Sequence, residues 1–472
     1  MYRVKRLYIL AGVLALTCAA AVWALHQEER QEQIASSGET VLEIDPDTVR
    51  SLSWEYDGET LSFHRDGPWI YDSDEAFPVS GDSMQELLET FRSFRAAFVI
   101  TQPEDLSQYG LDNPVCTIEM TTEDQTYVIQ LGDYSTMDQQ RYVSTGDGKV
   151  YLAVADPLDT FAAELSDFIE HDETPNWNQV TRLTVSGSVE ESLFYQKDNS
   201  SSYSAIDVYF TQRGGEILPL DTDRVESYLD ALKYLGLTDY VTYHATDQEL
   251  SAYGLDNPEL TITAEYTCEN ETGEAASGTF VLHISRDPQE REAAKTAEKP
   301  EDDLSEITAY ARVGDSQIVY QISGEEYETL MAASYNDLRH TQVFWADFDG
   351  VSQLDIALDG LDYTITSKGD GEDRLWFYGD EELDITNLQR ALEGVTAVEF
   401  TDEAAKSRQE IELTVHLDSK AFPQVQMQFY RYDGASCLAV VDGEPVSLVA
   451  RSAVVDLMEA VRAIVLNETE VT

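Results

Sequence analysis

A ten-residue segment occurs twice in this chain, and no other feature limits its fold so strongly. Asp105-Leu-Ser-Gln-Tyr-Gly-Leu-Asp-Asn-Pro114 returns as Glu249-Leu-Ser-Ala-Tyr-Gly-Leu-Asp-Asn-Pro258, with Tyr109 and Tyr253 standing 144 residues apart. Near-identity over that length marks an internal duplication, so a structural unit of domain size is used more than once. The segment itself reads as a stop signal. If Leu106 to Tyr109 form one helical turn, Gly110 can take the left-handed position just past its end, where a Cβ would be strained, and Leu111 folds back on Leu106 in a Schellman ending. Asn113 is held extended by Pro114, which cannot continue a helix and can open an edge strand. Leu250, Tyr253, Gly254, Leu255, Asn257 and Pro258 carry the same roles in the second copy. A Tyr beside small polar residues could also contact a ligand, but each position already has a structural use.

The flanking sequence defines the units. The first runs over about 41–171. Alternating apolar residues predict antiparallel strands from Val49 to Tyr56 and Thr60 to Arg65 across an Asp57-Gly58 turn, then a short strand from Trp69 to Tyr71. Met84, Leu87, Leu88, Phe91, Arg95 and Phe98 fall mostly on one face at helical spacing, with Asp82 or Ser83 as cap. Strands are expected at Val115 to Met120, Thr126 to Leu131, Arg141 to Ser144 and Val150 to Val154, before a closing helix that buries Leu158, Phe161, Leu165 and Phe168.

The second unit, about 180–340, repeats that order. Its strand from Arg182 to Val185 leads to a helix with Val225, Tyr228, Leu229, Leu232 and Leu235 inward and Asp221 or Thr222 as cap. Near its end Ser316-Gln-Ile-Val-Tyr-Gln-Ile matches Gly148-Lys-Val-Tyr-Leu-Ala-Val of the first unit, ahead of a helix with Tyr327, Leu330 and Met331. An insertion at about 286–305, rich in Glu, Asp, Lys, Ala and Pro, reads as a solvated loop of disordered type. A third, divergent unit spans about 351–466. Leu354 to Leu358 alternates, Trp376-Phe377-Tyr378 stands where Trp69-Ile70-Tyr71 stood, and Leu388, Leu392, Val395 and Val398 form a helix face behind Thr386. Val446-Ser-Leu-Val and a helix through Leu457, Met458 and Val461 close it. The repeated segment is missing there. The expected architecture is α+β: three related repeats of antiparallel strands with packed helices.

An N-terminal transmembrane helix is expected to precede them. Leu7 to Leu25 carry no charge and are long enough to cross a bilayer. Arg3, Lys5 and Arg6 stand before this run and Glu28, Glu29 and Glu32 after it, which places the N-terminus in the cytoplasm and the bulk of the chain outside. Residues 1–27 are read as a single-pass signal-anchor and 28–40 as a polar stalk. Cleavage after Ala19 to Ala21 is the competing reading, and a lipoprotein reading through Cys18 has a poor lipobox.

Composition narrows the function. With 90 acidic against 30 basic residues the formal charge is −60, which opposes phosphate binding and excludes nucleic acid as the expected partner. The chain still folds, since 42% of it is hydrophobic. Its four Cys form no C-x-x-C pair, and its seven His are dispersed with no pair at i, i+4, so neither a metal nor a cofactor site is expected. No nucleophile elbow or phosphate loop occurs, and the expected class is non-enzymatic. Asp347-Phe-Asp349-Gly350 looks like part of a calcium loop but puts Trp345 at the first ligand position. Trp69 and Trp376 are the best candidates for carbohydrate stacking, set against a core role.

The duplicated Tyr-Gly-Leu-Asp-Asn-Pro segment, the Asp66-Gly-Pro-Trp69 strand start and the N-terminal run resemble the bacterial domain-of-unknown-function family numbered forty-three forty. The resemblance covers most of the chain beyond the stalk and is specific in the first two units. It implies a membrane-anchored envelope protein of the kind encoded beside ABC-transporter subunits and gliding-motility-type proteins. The expected function is therefore an extracytoplasmic accessory or scaffold subunit with ABC-transporter subunits as protein partners. An envelope glycan-binding protein is the alternative. The family carries no established catalytic residues.

Overall fold

Period-two alternation drives this chain into three antiparallel sheets. The computed structural model describes residues 38–197, 200–270, 273–294, 304, 307–369 and 374–466. The expected anchor at 7–25, Cys18, most of the stalk and much of the acidic insertion lie outside them. Among the described residues no helix is long and apolar enough to cross a membrane. The chain divides after His171 into two compact units, the first holding one sheet and the second holding two.

In the first unit, β1 (Glu39–Leu42), β2 (Val49–Tyr56), β3 (Glu59–Arg65), β4 (Trp69–Tyr71), β5 (Phe94–Ile100), β6 (Cys116–Thr122), β7 (Thr126–Ser135), β8 (Gln140–Ser144) and β9 (Val150–Ala153) lie in the order β4-β3-β2-β6-β7-β8-β9-β5-β1. The next sheet contains β10 (Gln179–Gly187), β11 (Glu191–Tyr195), β12 (Tyr209–Arg213), β13 (Glu216–Pro219), β14 (Tyr240–Thr242), β15 (Leu260–Glu269), β16 (Ala275–Arg286), β17 (Ala309–Val313) and β18 (Val319–Ile322). Its order is β13-β12-β11-β10-β15-β16-β17-β18-β14. The last contains β19 (Val351–Leu358), β20 (Leu361–Lys368), β21 (Leu375–Tyr378), β22 (Glu381–Leu383), β23 (Ala397–Phe400), β24 (Gln409–Leu417), β25 (Gln424–Arg431), β26 (Ser436–Val441) and β27 (Glu444–Ala450). These run β22-β21-β20-β19-β24-β25-β26-β27-β23.

One path is drawn three times. The strand after the helix (β5, β14, β23) skips to the far side of the sheet, and the next strand (β6, β15, β24) returns to pair with the first hairpin. The second and third sheets agree strand for strand. The first has no counterpart of β13 or β22 and adds β1 beyond β5. The third repeat, weakest in sequence, therefore keeps the whole order. Asp-Gly turns with both residues at positive φ close β2 to β3, β19 to β20 and β26 to β27, because a type I′ turn matches the strand twist.

Several elements depart from the sequence reading. The first helix is Gly81–Glu89, capped by Ser80 rather than Asp82 or Ser83, with the Ser83 N–H donating to Ser80 Oγ at 3.3 Å. Arg95 and Phe98 are not on it. They belong to β5, where Phe94 and Ala96 are buried on either side of Arg95 and pairing with β9 overrides the helical spacing; Phe98 is 62% exposed. Val398 leaves its helix in the same way: Thr386–Glu393 stops at Gly394, and Val398 sits in β23, 72% exposed. The closing helix of the first unit is two short turns, Leu158–Phe161 and Leu165–Phe168. Phe161 and Phe168 still pack on Trp54, at 5.6 and 5.5 Å, but Leu158 and Leu165 are only half-buried. Part of the acidic insertion, Pro288–Ala294, is helical. Pro114 opens no edge strand: it precedes β6, which lies inside its sheet between β7 and β2. The helix Thr222–Lys233 begins as expected, with Asp221 accepting the N–H groups of Asp223 and Arg224.

Candidate functional site

The repeated segment builds the same corner twice. Gly110 and Gly254 have φ of 66° and 71°. The Leu111 N–H donates to the Leu106 carbonyl at 3.1 Å and the Gly110 N–H to that of Ser107 at 3.3 Å. In the second copy Leu255 bonds Leu250 at 2.8 Å and Gly254 bonds Ser251 at 3.2 Å. These paired bonds are the Schellman ending, and they satisfy carbonyls a helix end would leave open. Leu111 and Leu255 are buried in the core, whereas Leu106 stays 41% exposed. Tyr109 lies 5.0 Å from Tyr142 on β8, and Tyr253 lies 4.7 Å from Tyr310 on β17, the same place in the second sheet. Asn113 and Asn257 remain exposed, and Pro114 and Pro258 are half-buried. The corner fixes how a strand enters the sheet.

Other candidates also resolve into structure. Trp69 and Trp376 are 8% and 6% exposed, with Arg65 5.9 Å over one ring and Phe348 5.3 Å from the other, so neither offers a free stacking face. Asp347 caps the turn Phe348–Gly350 by accepting the Asp349 N–H at 3.0 Å. Among the described residues no three His, Cys, Asp or Glu side chains could hold a metal ion. Burial pushes the Cys116 and Cys437 thiols up to about 12 and about 11, which leaves them without nucleophilic thiolate.

The solvated face of the third sheet is a hydrogen-bonded polar surface. Asp355 accepts from Gln353, from Thr364 at 2.8 Å and from the ring of His416 at 2.7 Å. Glu412 accepts from Gln409, Gln426 and Gln428 at 2.8, 2.6 and 3.0 Å. Burial raises each carboxyl, but the donors outweigh it and hold both below the usual carboxylate range: Thr364, His416 and Gln353 for Asp355, and Gln428, Gln409 and Gln426 for Glu412. A folded-state value below the unfolded one means that stability is present above roughly pH 4 and is lost as pH falls through the folded-state values. Asp355→Asn combined with Glu412→Gln should flatten that acid-side loss in urea melts, while an unchanged pH profile would rule this source out.

Within the second unit a cavity of about 750 Å³ separates elements of the second and third sheets. Three of its lining residues, Ser202, His340 and Trp345, meet one buried side chain, that of Asp207. Asp207, fully buried between β11 and β12, accepts from Ser202 Oγ at 2.5 Å, from Trp345 Nε1 at 3.2 Å, and meets His340 Nε2 at 3.0 Å. His340 stacks flat on Trp345 with ring centres 4.5 Å apart, and its Nδ1 is 3.6 Å from Asp221. Tyr203 packs on Trp345 at 4.5 Å, and its hydroxyl oxygen is buried without a hydrogen-bond partner. Burial, with Asp442 and Asp207 nearby, pushes that phenol well above its usual value, so it stays protonated and keeps its O–H as a donor. Arg339 lies 4.7 Å over Tyr335 and 4.4 Å over Phe400. Burial and the neighbouring Arg213 lower its basicity, and Tyr335 partly restores it.

None of these residues was marked as functional by the sequence. Asp207 and His340 are 133 positions apart with no local motif at either. An Arg-His pair closing the second repeat of so acidic a chain was the one available signal. The orphan hydroxyl has a measurable consequence. Tyr203→Phe removes an unmet polar group and keeps the ring, so the melting curve should show a gain of about 1 kcal/mol; a loss would mean that the hydroxyl is satisfied.

A family model described as domain of unknown function (DUF4340) matches residues 69–258 and again 216–414. No curated protein matches, and no solved structure matches. The two overlapping matches extend from the strand of Trp69 through both Tyr-Gly-Leu-Asp-Asn-Pro corners and into β24, across most of the sequence. The chain belongs to the family described as domain of unknown function (DUF4340).

Proposed function

We propose that this protein is a non-enzymatic, membrane-anchored accessory or scaffold subunit that works outside the cytoplasm with an ABC-type membrane transport assembly, through protein contacts. The observation that carries the reading is the repetition of one sheet three times. Each copy presents one face to its own core and the other to solvent, and the solvated face of the third is already a dense hydrogen-bonded surface around Asp355 and Glu412. Repeats of this kind multiply similar surfaces along a chain, a design suited to holding partners. The charged residues before Leu7 to Leu25 and the acidic residues after it support the anchored orientation. At −60, the chain favours partners with basic extracytoplasmic faces.

The test is a mild-detergent purification of the tagged full-length protein from its own cells, with quantitative mass spectrometry. Stoichiometric ABC-transporter subunits, lost when Leu7 to Leu25 is replaced by a cleavable signal peptide, are the expected result. Recovery of wall fragments alone would overturn the reading.

A further inference from the structure

We propose that the cavity between the second and third sheets binds a small organic acid with an apolar body, whose carboxylate is held by Arg339. Its volume of about 750 Å³ suits a ligand of that size. Tyr203, Tyr335, Trp345 and Phe422 supply apolar wall. The lining carboxylates do not compete for the same role. Asp207 is not among the lining residues and is engaged by Ser202, His340 and Trp345 behind them. Asp442 accepts the Gln426 N–H at 2.8 Å, and Glu216 is exposed to solvent.

Arg339 is what remains. It pairs with none of the described carboxylates, although acidic residues outnumber basic ones threefold in this chain. Its planar faces meet Tyr335 and Phe400, while the N–H groups at the guanidinium edge have no acceptor among the described side chains. Arg213 stacks on the same Tyr335 at 4.7 Å but is neutralised by Glu191. A half-buried guanidinium crowded by a second one is disfavoured until an anion arrives, which agrees with its lowered basicity. Tyr203 lines the same cavity, while its hydroxyl oxygen is buried away from it.

Charge and shape select the anion. One guanidinium offers two parallel N–H bonds that fit the two oxygens of a carboxylate. A doubly charged phosphate would face Glu216 and Asp442 with the Arg339 cation alone in balance, and so is disfavoured. This inference stands apart from the docking role and does not depend on it.

The test is calorimetric titration of the full chain with 3-phenylpropionate, its amide 3-phenylpropionamide, and phenyl phosphate. The acid should saturate, with the amide and the phosphate ester each about tenfold weaker or more. Arg339→Gln should lose acid binding to a similar degree, with Arg339→Lys recovering part of it. If Arg339→Gln does not fold by near-ultraviolet circular dichroism, Arg339→Lys decides: weaker acid binding than in the unaltered chain, with the amide unaffected, supports the site, and unchanged acid binding overturns it. Equal affinity for acid and amide, tighter binding of the phosphate ester, or no saturation by any of the three would also overturn it.

Discussion

Gly132→Ala is expected to destabilise the first unit by about 3 kcal/mol, one of the largest single-methyl effects in the molecule. A Cβ there would lie 2.1 Å from the Tyr109 carbonyl oxygen and 3.0 Å from the Leu111 side chain. The first contact is backbone on backbone, so no rotamer can relieve it. Either β7 or the corner must move, and the corner is tied by two hydrogen bonds and by Tyr109 on Tyr142. Gly110→Ala attacks the same junction from the other side. Its φ of 66° costs a residue with Cβ about 1–2 kcal/mol, and the new methyl would lie 2.6 Å from the Asp133 carboxyl carbon. Asn113→Ala, three residues on and exposed, should change stability by less than about 0.5 kcal/mol. Urea denaturation of the full chain, followed by tyrosine and tryptophan signals, measures all three. A Gly132→Ala loss no larger than that of Asn113→Ala would show that the corner does not hold the strand.

The corner was legible because it is local. Every bond of the Schellman ending joins residues five positions apart or fewer, and glycine at positive φ is written directly in the sequence. Strand hairpins such as Val49–Tyr56 with Glu59–Arg65 were legible for the same reason, from period two and an Asp-Gly turn. Helix ends were less so. Arg95 and Val398 continue a helical spacing in sequence, but each lies on a strand whose partner, β9 or β27, comes tens of residues later, and pairing with that partner outweighs spacing. The cavity was not legible at all. Its lining residues Ser202, His340 and Trp345 are joined through the buried Asp207 across the second repeat, and no period or motif encodes a contact of that range.

That long-range contact carries the second large effect. Asp207→Ala should cost the second unit about 3–5 kcal/mol, because it leaves the donors of Ser202, His340 and Trp345 facing a buried void. Asp207→Asn keeps one acceptor oxygen and nearly the same volume, so it should cost less, about 1–3 kcal/mol. Asp221→Ala is the control. It removes a more distant carboxylate 3.6 Å from His340 and a helix cap, and should cost about 1 kcal/mol. The three variants distinguish two roles for Asp207. If the carboxylate only fills space, Asn and Ala differ by a few methyl contacts. If it is the acceptor that joins the loop before β12 to His340 and Trp345, the Ala variant should also broaden the urea transition of the second unit. The second and third sheets would then lose part of their shared polar contact and begin to unfold separately, while the transition of the first unit stays where it was. A sharp, nearly unshifted transition in Asp207→Ala would show that the two sheets cohere without this carboxylate.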